Sequence, residues 1–269
     1  LQSTHTLFDA ADGPAFQTLN ANGASDIVLV CEHASNTIPG ALDGLGLTEA
    51  ALQSHAAWDP GAEAVALLLS KSLDAVLISA GLSRLVYDLN RPPEHPDAMR
   101  AVSEIYEVPG NANLSSQDRN ARTEGLYKPF HGEIDRILDR YQAENRTPVL
   151  VTIHTFTPVY LGQKRAVEIG VLHDTSDTRL ADQILDAAPT ITDFITLRNE
   201  PYGPEDGVAH SLQMHALPRG ILNVMLEIRN DLVTTAEQQI KVAQIIESLL
   251  LCAIAKVPTQ NPASAGAHV

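Results

Sequence analysis

Residues 149–156 read Val-Leu-Val-Thr-Ile-His-Thr-Phe, an apolar run dominated by β-branched side chains and followed at once by Thr157-Pro158. So short an apolar segment predicts a buried strand rather than a helix. His154 stands near its carboxyl end, where open α/β sheets place their ligands. We read His154 as the hub of a metal site; the competing reading is a core or capping histidine whose ring is satisfied by neighbours.

The rest of the chain is organised around such strands. Residues 26–31 form an apolar run that passes directly into Glu32-His33-Ala34-Ser35-Asn36, again putting a histidine just beyond a strand end. Thr48 caps a short helix over 49–55. Trp58-Asp59-Pro60-Gly61 opens a longer helix to Leu73, with Asp59 as N-cap and proline in the first turn. A second strand at 75–79 completes a strand, helix, strand alternation of the parallel α/β kind. The alternating stretch Arg84 to Arg91 reads as a further strand end stopped by Pro92-Pro93, and it gathers Arg84, Asp88, Asn90 and Arg91 at one sheet edge. From 94 to 121 the pattern dissolves into a long excursion of the sort that forms binding loops, closed by Arg119 and Arg122. Helical spacing returns over 125–145, with His131 as a half-buried helix residue. Strands at 166–172, 195–197 and 220–228 and helices at 178–187 and 234–255 complete the pattern. His210 and His215 fall in a turn-rich segment as solvent-facing residues. One catalytic domain over 1–257 and a flexible tail at 258–269 are expected.

Charge narrows the partners. A formal net charge of −15 argues against a phosphate backbone, and an aromatic content of 4% argues against base stacking, so no nucleic acid is expected. No stretch approaches the ~20 apolar residues of a membrane span. Two distant cysteines, Cys31 and Cys252, suggest neither a disulfide framework nor a zinc knuckle, and a reducing cytoplasm is the expected compartment.

His33, Asp59 and His154 thus fall at strand ends or a helix start on one sheet edge. Two imidazoles and a carboxylate with a position left open make a catalytic zinc set. Glu227 is costly in so apolar a strand unless it is paired or functional, and it is read as the general base that moves a proton from water to a leaving nitrogen. Arg229, on the same face of that strand, is read as stabilising developing negative charge or binding a substrate carboxylate.

These pieces carry a resemblance. Ile153-His154-Thr155-Phe156 and Leu226-Glu227-Ile228-Arg229 look like the ligand and base strands of zinc carboxypeptidases. The ordered series Glu32-His33-Ala34-Ser35-Asn36, Trp58-Asp59, Tyr87-Asp88-Leu89-Asn90-Arg91-Pro92, Tyr127-Lys128-Pro129-Phe130-His131, Ile153-His154-Thr155-Phe156, Asn199-Glu200-Pro201-Tyr202 and Glu227-Ile228-Arg229 resembles the N-formylglutamate amidohydrolase family. The resemblance implies a phosphorylase/hydrolase-like three-layer α/β/α fold with a mixed, mainly parallel sheet. It also implies a divalent metal, zinc by preference, and hydrolysis of the N-acyl amide of a small anionic amino acid such as N-formyl-L-glutamate. Asn36, Asp88, Asn90, Arg91, Arg119, Arg122 and Tyr202 are the implied substrate contacts. One position departs from the carboxypeptidase pattern: the glutamate expected three residues after His33 is Asn36. Zinc N-acetylmuramoyl-alanine amidases take a carboxylate from the start of the next helix, so Asp59 is preferred to Glu32 or Asn36 as second ligand. Another N-acylamino acid or peptide amide, a cysteine hydrolase built on Cys31, and a non-catalytic metal or small-acid binding protein remain as alternatives.

Overall fold

The computed structural model describes residues 12–257, and the tail expected at 258–269 lies outside them. In chain order the elements are β1 (Phe16–Leu19), β2 (Ile27–Cys31), α1 (Glu49–Gln53), α2 (Ala62–Ser72), β3 (Val76–Ala80), β4 (Val102–Ser103), β5 (Tyr106–Glu107), α3 (Ser116–Arg122), α4 (Lys128–Ala143), β6 (Val149–Phe156), β7 (Val159–Tyr160), β8 (Gln163–Lys164), β9 (Ile169–Leu172), α5 (Arg179–Ile191), β10 (Thr196–Arg198), β11 (Leu222–Arg229) and α6 (Ala236–Lys256). Seven strands form one sheet in the order β1-β3-β2-β6-β11-β9-β10. β3, β2, β6 and β11 run parallel, while β1 pairs antiparallel with β3 and β9 antiparallel with β11. The sheet is therefore mixed and mainly parallel, as expected.

The eight residues of β6 are all buried, and the strand lies at the centre of the sheet. Side-chain alternation divides its apolar residues between two layers. Val149, Val151 and Ile153 join α2, α5 and α6 in one core, together with Leu29, Val224 and Leu226. Leu150 joins the opposite core with Val28, Val30, Met225 and the Phe130, Ile134 and Ile137 face of α4. This accounts for the continuous apolar character of the central strands, since neither face meets water.

Four local expectations change. The stretch Arg84 to Arg91 is not a strand but a packed loop of turns. Asp88 Oδ1 accepts from the Asn90 amide at 3.1 Å, the Arg91 amide donates to Asp88 O at 3.0 Å, and Asn111 Nδ2 donates to Leu85 O at 2.8 Å. Short polar side chains thus supply the partners that a neighbouring strand would have given, which the alternating pattern alone does not reveal. The excursion at 94–121 contains the β4–β5 hairpin and α3, the latter opened by a Ser115/Asp118 capping box. Helix α2 begins at Ala62 with Gly61, at φ 86°, as N-cap, so Asp59 does not cap it and its carboxylate is free for other work. Finally, α6 is 21 residues long and contains an 18-residue window of mean hydropathy 1.3, long and apolar enough by length and composition to cross a membrane. The expectation that no segment reaches this size fails, but Val242, Ile246, Leu249, Leu250 and Ala253 of α6 are buried in the core against α2 and α5.

Candidate active site

Three neighbouring strands bring three ionisable side chains to one sheet edge. Glu227 of β11 is the register partner of His154 in β6. Glu32 follows β2 two residues past the Val30–Thr152 pair. All three side chains continue the face that carries Val30, Leu150 and Met225, toward α4 and the loops. Glu32, His154 and Glu227 are 0%, 1% and 5% exposed, so this is a buried charged row.

His33 and Asp59 arrive beside His154 from the loops that follow β2 and precede α2. The Asp59 amide donates to His33 O at 2.9 Å, which fixes one loop on the other. His33 Nδ1 lies 3.3 Å from Asp59 Oδ2, His154 Nδ1 lies 3.0 Å from the same oxygen, and the two Nδ1 atoms are 3.2 Å apart. The outer nitrogen of each ring meets a different carboxylate. His33 Nε2 is 2.7 Å from Asp88 Oδ1, and His154 Nε2 is 3.1 Å from Glu32 Oε2. His33 Nε2 can thus donate to the ionised Asp88 carboxylate, whereas Glu32 meets His154 as a close charge rather than through an aligned hydrogen bond. Both Nδ1 atoms converge on the same Asp59 oxygen, and, although burial opposes it, Glu32 and Asp59 hold the His154 imidazole well above its usual range, so the cluster favours positive charge. Three donor atoms 3.0–3.3 Å apart match the spacing that a cation imposes on its ligands: bonds of ~2.0–2.1 Å in a tetrahedral zinc site give ligand separations of about 3.3 Å. His33, Asp59 and His154 could therefore hold a metal ion. Glu32 sits behind His154 rather than in this triangle, and Asn36 turns its amide to Leu52 O at 3.1 Å.

The supporting charges are consistent with that arrangement. Although burial opposes it, the neighbouring His154 holds the Glu32 carboxyl down at about 2. Burial likewise opposes ionisation of Asp59 and Asp88, but His33 and Arg84 keep both well below the usual carboxylate range. Arg84 donates to Asp59 Oδ1 at 3.2 Å and to Asp88 Oδ2 at 3.0 Å, tying a metal-facing carboxylate to a backing one. Glu227 behaves in the opposite way. Burial, with Asp59 adding to it, pushes its carboxyl up to about 7 against the pull of His154, and its Oε2 has no hydrogen-bond partner among the described residues.

The row opens into a cavity of about 410 Å³ whose walls include His33, Asp59, Asp88, Asn90, Arg91, His154, Tyr202 and Glu227. Residues 25–234 match the sequence profile of the N-formylglutamate amidohydrolase family. The chain belongs to that family. It is 52% identical to gene product Atu2144 from Agrobacterium tumefaciens, whose crystal structure superposes with a TM-score of 0.91 over 93% of this chain and 98% of that one. N-formylglutamate amidohydrolase from Ralstonia eutropha JMP134 shares 15% identity and the fold, with a TM-score of 0.69 over 90% of this chain and 98% of that one. No curated protein matches.

In this amidohydrolase family member, the other sequence candidates separate clearly. Asn90 lines the cavity while its Oδ1 accepts from the Ser211 amide at 3.1 Å. Arg91 is 7% exposed and donates to the carbonyls of Asn90, Asp206 and Gly207, which leaves its Nε without a partner among the described residues. Arg229 does not line the cavity. It points beyond the strand end, pairing with Asp231 at 2.8 Å and Glu168 at 3.3 Å and donating to Arg165 O at 3.4 Å, so it braces the segment before β9. Arg122 is 2% exposed and donates to Val86 O and Asn111 Oδ1, pinning the loop that carries Asp88, and burial pushes it down to about 10. Arg119 and Asn36 lie outside the cavity wall. Cys31 is fully buried, and burial, then Asp59 and Glu32, pushes its thiol well up, which leaves no activated nucleophile there.

Sequence reasoning missed two features. His215, expected at the surface, and His131, expected half-buried, form a fully buried pair, with His131 Nδ1 2.7 Å from His215 Nε2 and His131 Nε2 2.8 Å from Leu89 O. Arg165, between β8 and β9, enters the cavity wall beside Phe156, Tyr160 and Tyr202. One signal was available: residues 157–167 contain no acidic side chain in a chain of net charge −15.

Proposed function

We propose that residues 12–257 form one metal-dependent catalytic unit that hydrolyses the N-formyl amide of an acidic amino acid, of which N-formyl-L-glutamate is the type substrate. The observation that carries this reading is the close triangle of His33 Nδ1, Asp59 Oδ2 and His154 Nδ1, with the Glu227 carboxyl, whose Oε2 has no partner among the described residues, on the adjoining strand. His33 Nδ1, Asp59 Oδ2 and His154 Nδ1 would hold the ion, zinc by the character of its donors. When bound, it supplies Lewis acidity toward the formyl oxygen and acidifies the attacking water.

The remaining work falls to the chain. Glu227 Oε2 takes a proton from the water as the water oxygen bonds to the formyl carbon. The same carboxyl then gives the proton to the departing amide nitrogen as the C–N bond breaks, releasing formate and the free amino acid. Burial raises the Glu227 carboxyl, so it takes up a proton more readily than an exposed glutamate. Asp88, hydrogen-bonded to His33 Nε2, and Glu32, 3.1 Å behind His154 Nε2, would fix the angle of the two imidazoles. Arg91, which lines the cavity and forms no ion pair among the described residues, would take the substrate's α-carboxylate. Two unpaired cysteines agree with a cytoplasmic setting, which we include in the proposal.

The test combines metal analysis with turnover. Protein purified without chelator should carry about one divalent ion and release formate from N-formyl-L-glutamate. Glu227→Gln should keep the ion and lose on the order of 10²- to 10⁴-fold in kcat. Normal hydrolysis by that variant, or a metal-free protein of full activity, would refute the reading.

A further inference from the structure

Four guanidinium groups reach the cavity, and their electrostatic situations differ. Arg84 is neutralised by Asp59 and Asp88. Arg100 faces Asp88 at 3.7 Å and Asp97 at 3.6 Å. Arg91 is held by backbone carbonyls deep in the wall. Arg165 alone of these four has neither a carboxylate within ion-pairing distance nor a buried position among the described residues. Its only side-chain donations run from Nη1, to Tyr202 Oη at 3.1 Å and Thr157 O at 3.5 Å. Nε and Nη2, the edge that matches a carboxylate in two-point fashion, have no partner among the described residues.

That edge is also held in place. The guanidinium carbon lies 4.7 Å from the Tyr160 ring centre, 4.8 Å from Tyr202 and 5.6 Å from Phe156. Three ring faces favour the cation while stripping part of its hydration, so less solvent must be displaced when an anion arrives. The backbone is fixed from both sides: the Arg165 amide donates to Pro158 O at 2.9 Å, and its carbonyl accepts from Arg229. At the tip of the same hairpin, the Leu161 amide donates to Glu104 Oε1 at 3.0 Å, and Glu104 Oε2 lies 2.8 Å from His55 Nε2. A caged, uncompensated cation on a tethered hairpin is arranged for an anionic ligand group.

We propose that Arg165 is a specificity-determining residue that binds the side-chain carboxylate of the acidic amino-acid moiety. The assignment rests on the hydrolase reading above for the orientation of the substrate. Arg91 shares a turn with Asp88, which backs His33, so it stands on the inner side where the α-carboxylate follows the scissile nitrogen. Arg165 enters from the half-exposed outer wall, where the longer arm of the substrate ends.

The experiment uses the metal-loaded full chain with N-formyl-L-glutamate and its neutral isostere N-formyl-L-glutamine. Arg165→Met keeps an apolar stem against the rings and removes the charge. It should lower kcat/KM for the glutamate compound roughly 10- to 100-fold, mainly through KM, while changing that for the glutamine compound by no more than about twofold. Arg165→Lys should fall between, because a point charge replaces a two-point fork. An equal loss on both compounds, or a loss on neither, overturns the assignment. Calorimetric binding of the products L-glutamate and L-glutamine gives a readout independent of turnover. If wild type hydrolyses neither formyl compound, the hydrolase reading fails. A preference for L-glutamate that disappears in Arg165→Met still upholds Arg165 as the carboxylate site, and the absence of any such preference in wild type overturns it. Should Arg165→Met unfold, the substrate ratio for Arg165→Lys decides the question on the same criteria.

Discussion

His131 offers a direct measurement of what its buried site contributes to folding. Its ring is 1% exposed, with His215 on Nδ1, Leu89 O on Nε2, the Tyr127 ring 4.2 Å away and His210 at 5.6 Å. Burial, followed by the neighbouring His215 and His210, pushes it from 6.5 down to about 3, against weaker opposite effects of Leu89 O and Glu32. Between those two values the unfolded chain binds a proton that the folded chain refuses. The unfolded state therefore gains as pH falls, and stability drops by about 1.4 kcal/mol per pH unit for this one group. From pH 6.5 to 4.5 that is on the order of 3 kcal/mol. His131→Gln cannot titrate, yet its amide can still donate toward Leu89 O, so it should cost about 1–2 kcal/mol at pH 7.5. Urea unfolding of both proteins, at half-unit steps from pH 7.5 to 4.5, should show the two stabilities converging below pH 6.5 and crossing before pH 4.5. Titrating groups that do not touch His131 are common to both proteins and leave the difference, and the contribution of its partner His215 is fixed by the same series on His215→Gln. A wild-type minus variant difference that stays constant across the range would refute the argument.

Two further outcomes follow from the site and its scaffold. Glu32→Gln should weaken metal binding about 10- to 100-fold, read by competition with a chromophoric chelator, because His154 loses the charge behind its Nε2; unchanged affinity would show that the contact does not orient the ring. Gly61→Ala should destabilise the fold by about 1–3 kcal/mol in thermal unfolding, since its φ is 86° and an added Cβ would stand 2.6 Å from Val233 Cγ2. A neutral effect there would mean that the α2 start relaxes freely.

The sheet was readable because its strands are. β2, β6 and β11 consist of apolar residues in runs too short for helices, and His154 and Glu227 stood out as polar groups that such strands do not tolerate without a reason. Asp59 was found through a misleading local signal: Asp-Pro reads as a cap, whereas the cap is Gly61 and the carboxylate points at two histidines. For Arg229, alternation gave the correct face but not the reach. A long side chain at a strand's last residue can turn outward, and here Glu168 and Asp231 draw it away. The loop from Arg84 to Arg91 imitated a strand because its apolar residues alternate, and only its long-range partners Asn111 and Arg122 distinguish the two. The His131–His215 pair joins residues 84 positions apart, and Arg165 meets rings from three separate segments. No local pattern encodes such meetings.

The placement of Arg165 directly after the β7–β8 ribbon, while His154 and Glu227 sit on adjoining central strands, divides the molecule by how easily it can change. Backbone amides of β6 and β11 belong to the last part of a fold to exchange with deuterium, whereas a two-residue ribbon at the rim opens on its own. On the roles proposed above for Arg165 and Glu227, substitution or lengthening of that ribbon would retune which amino acid is accepted while the central strands keep their register. Descendants of this chain thus have a route to new substrates that leaves the hydrolytic step intact.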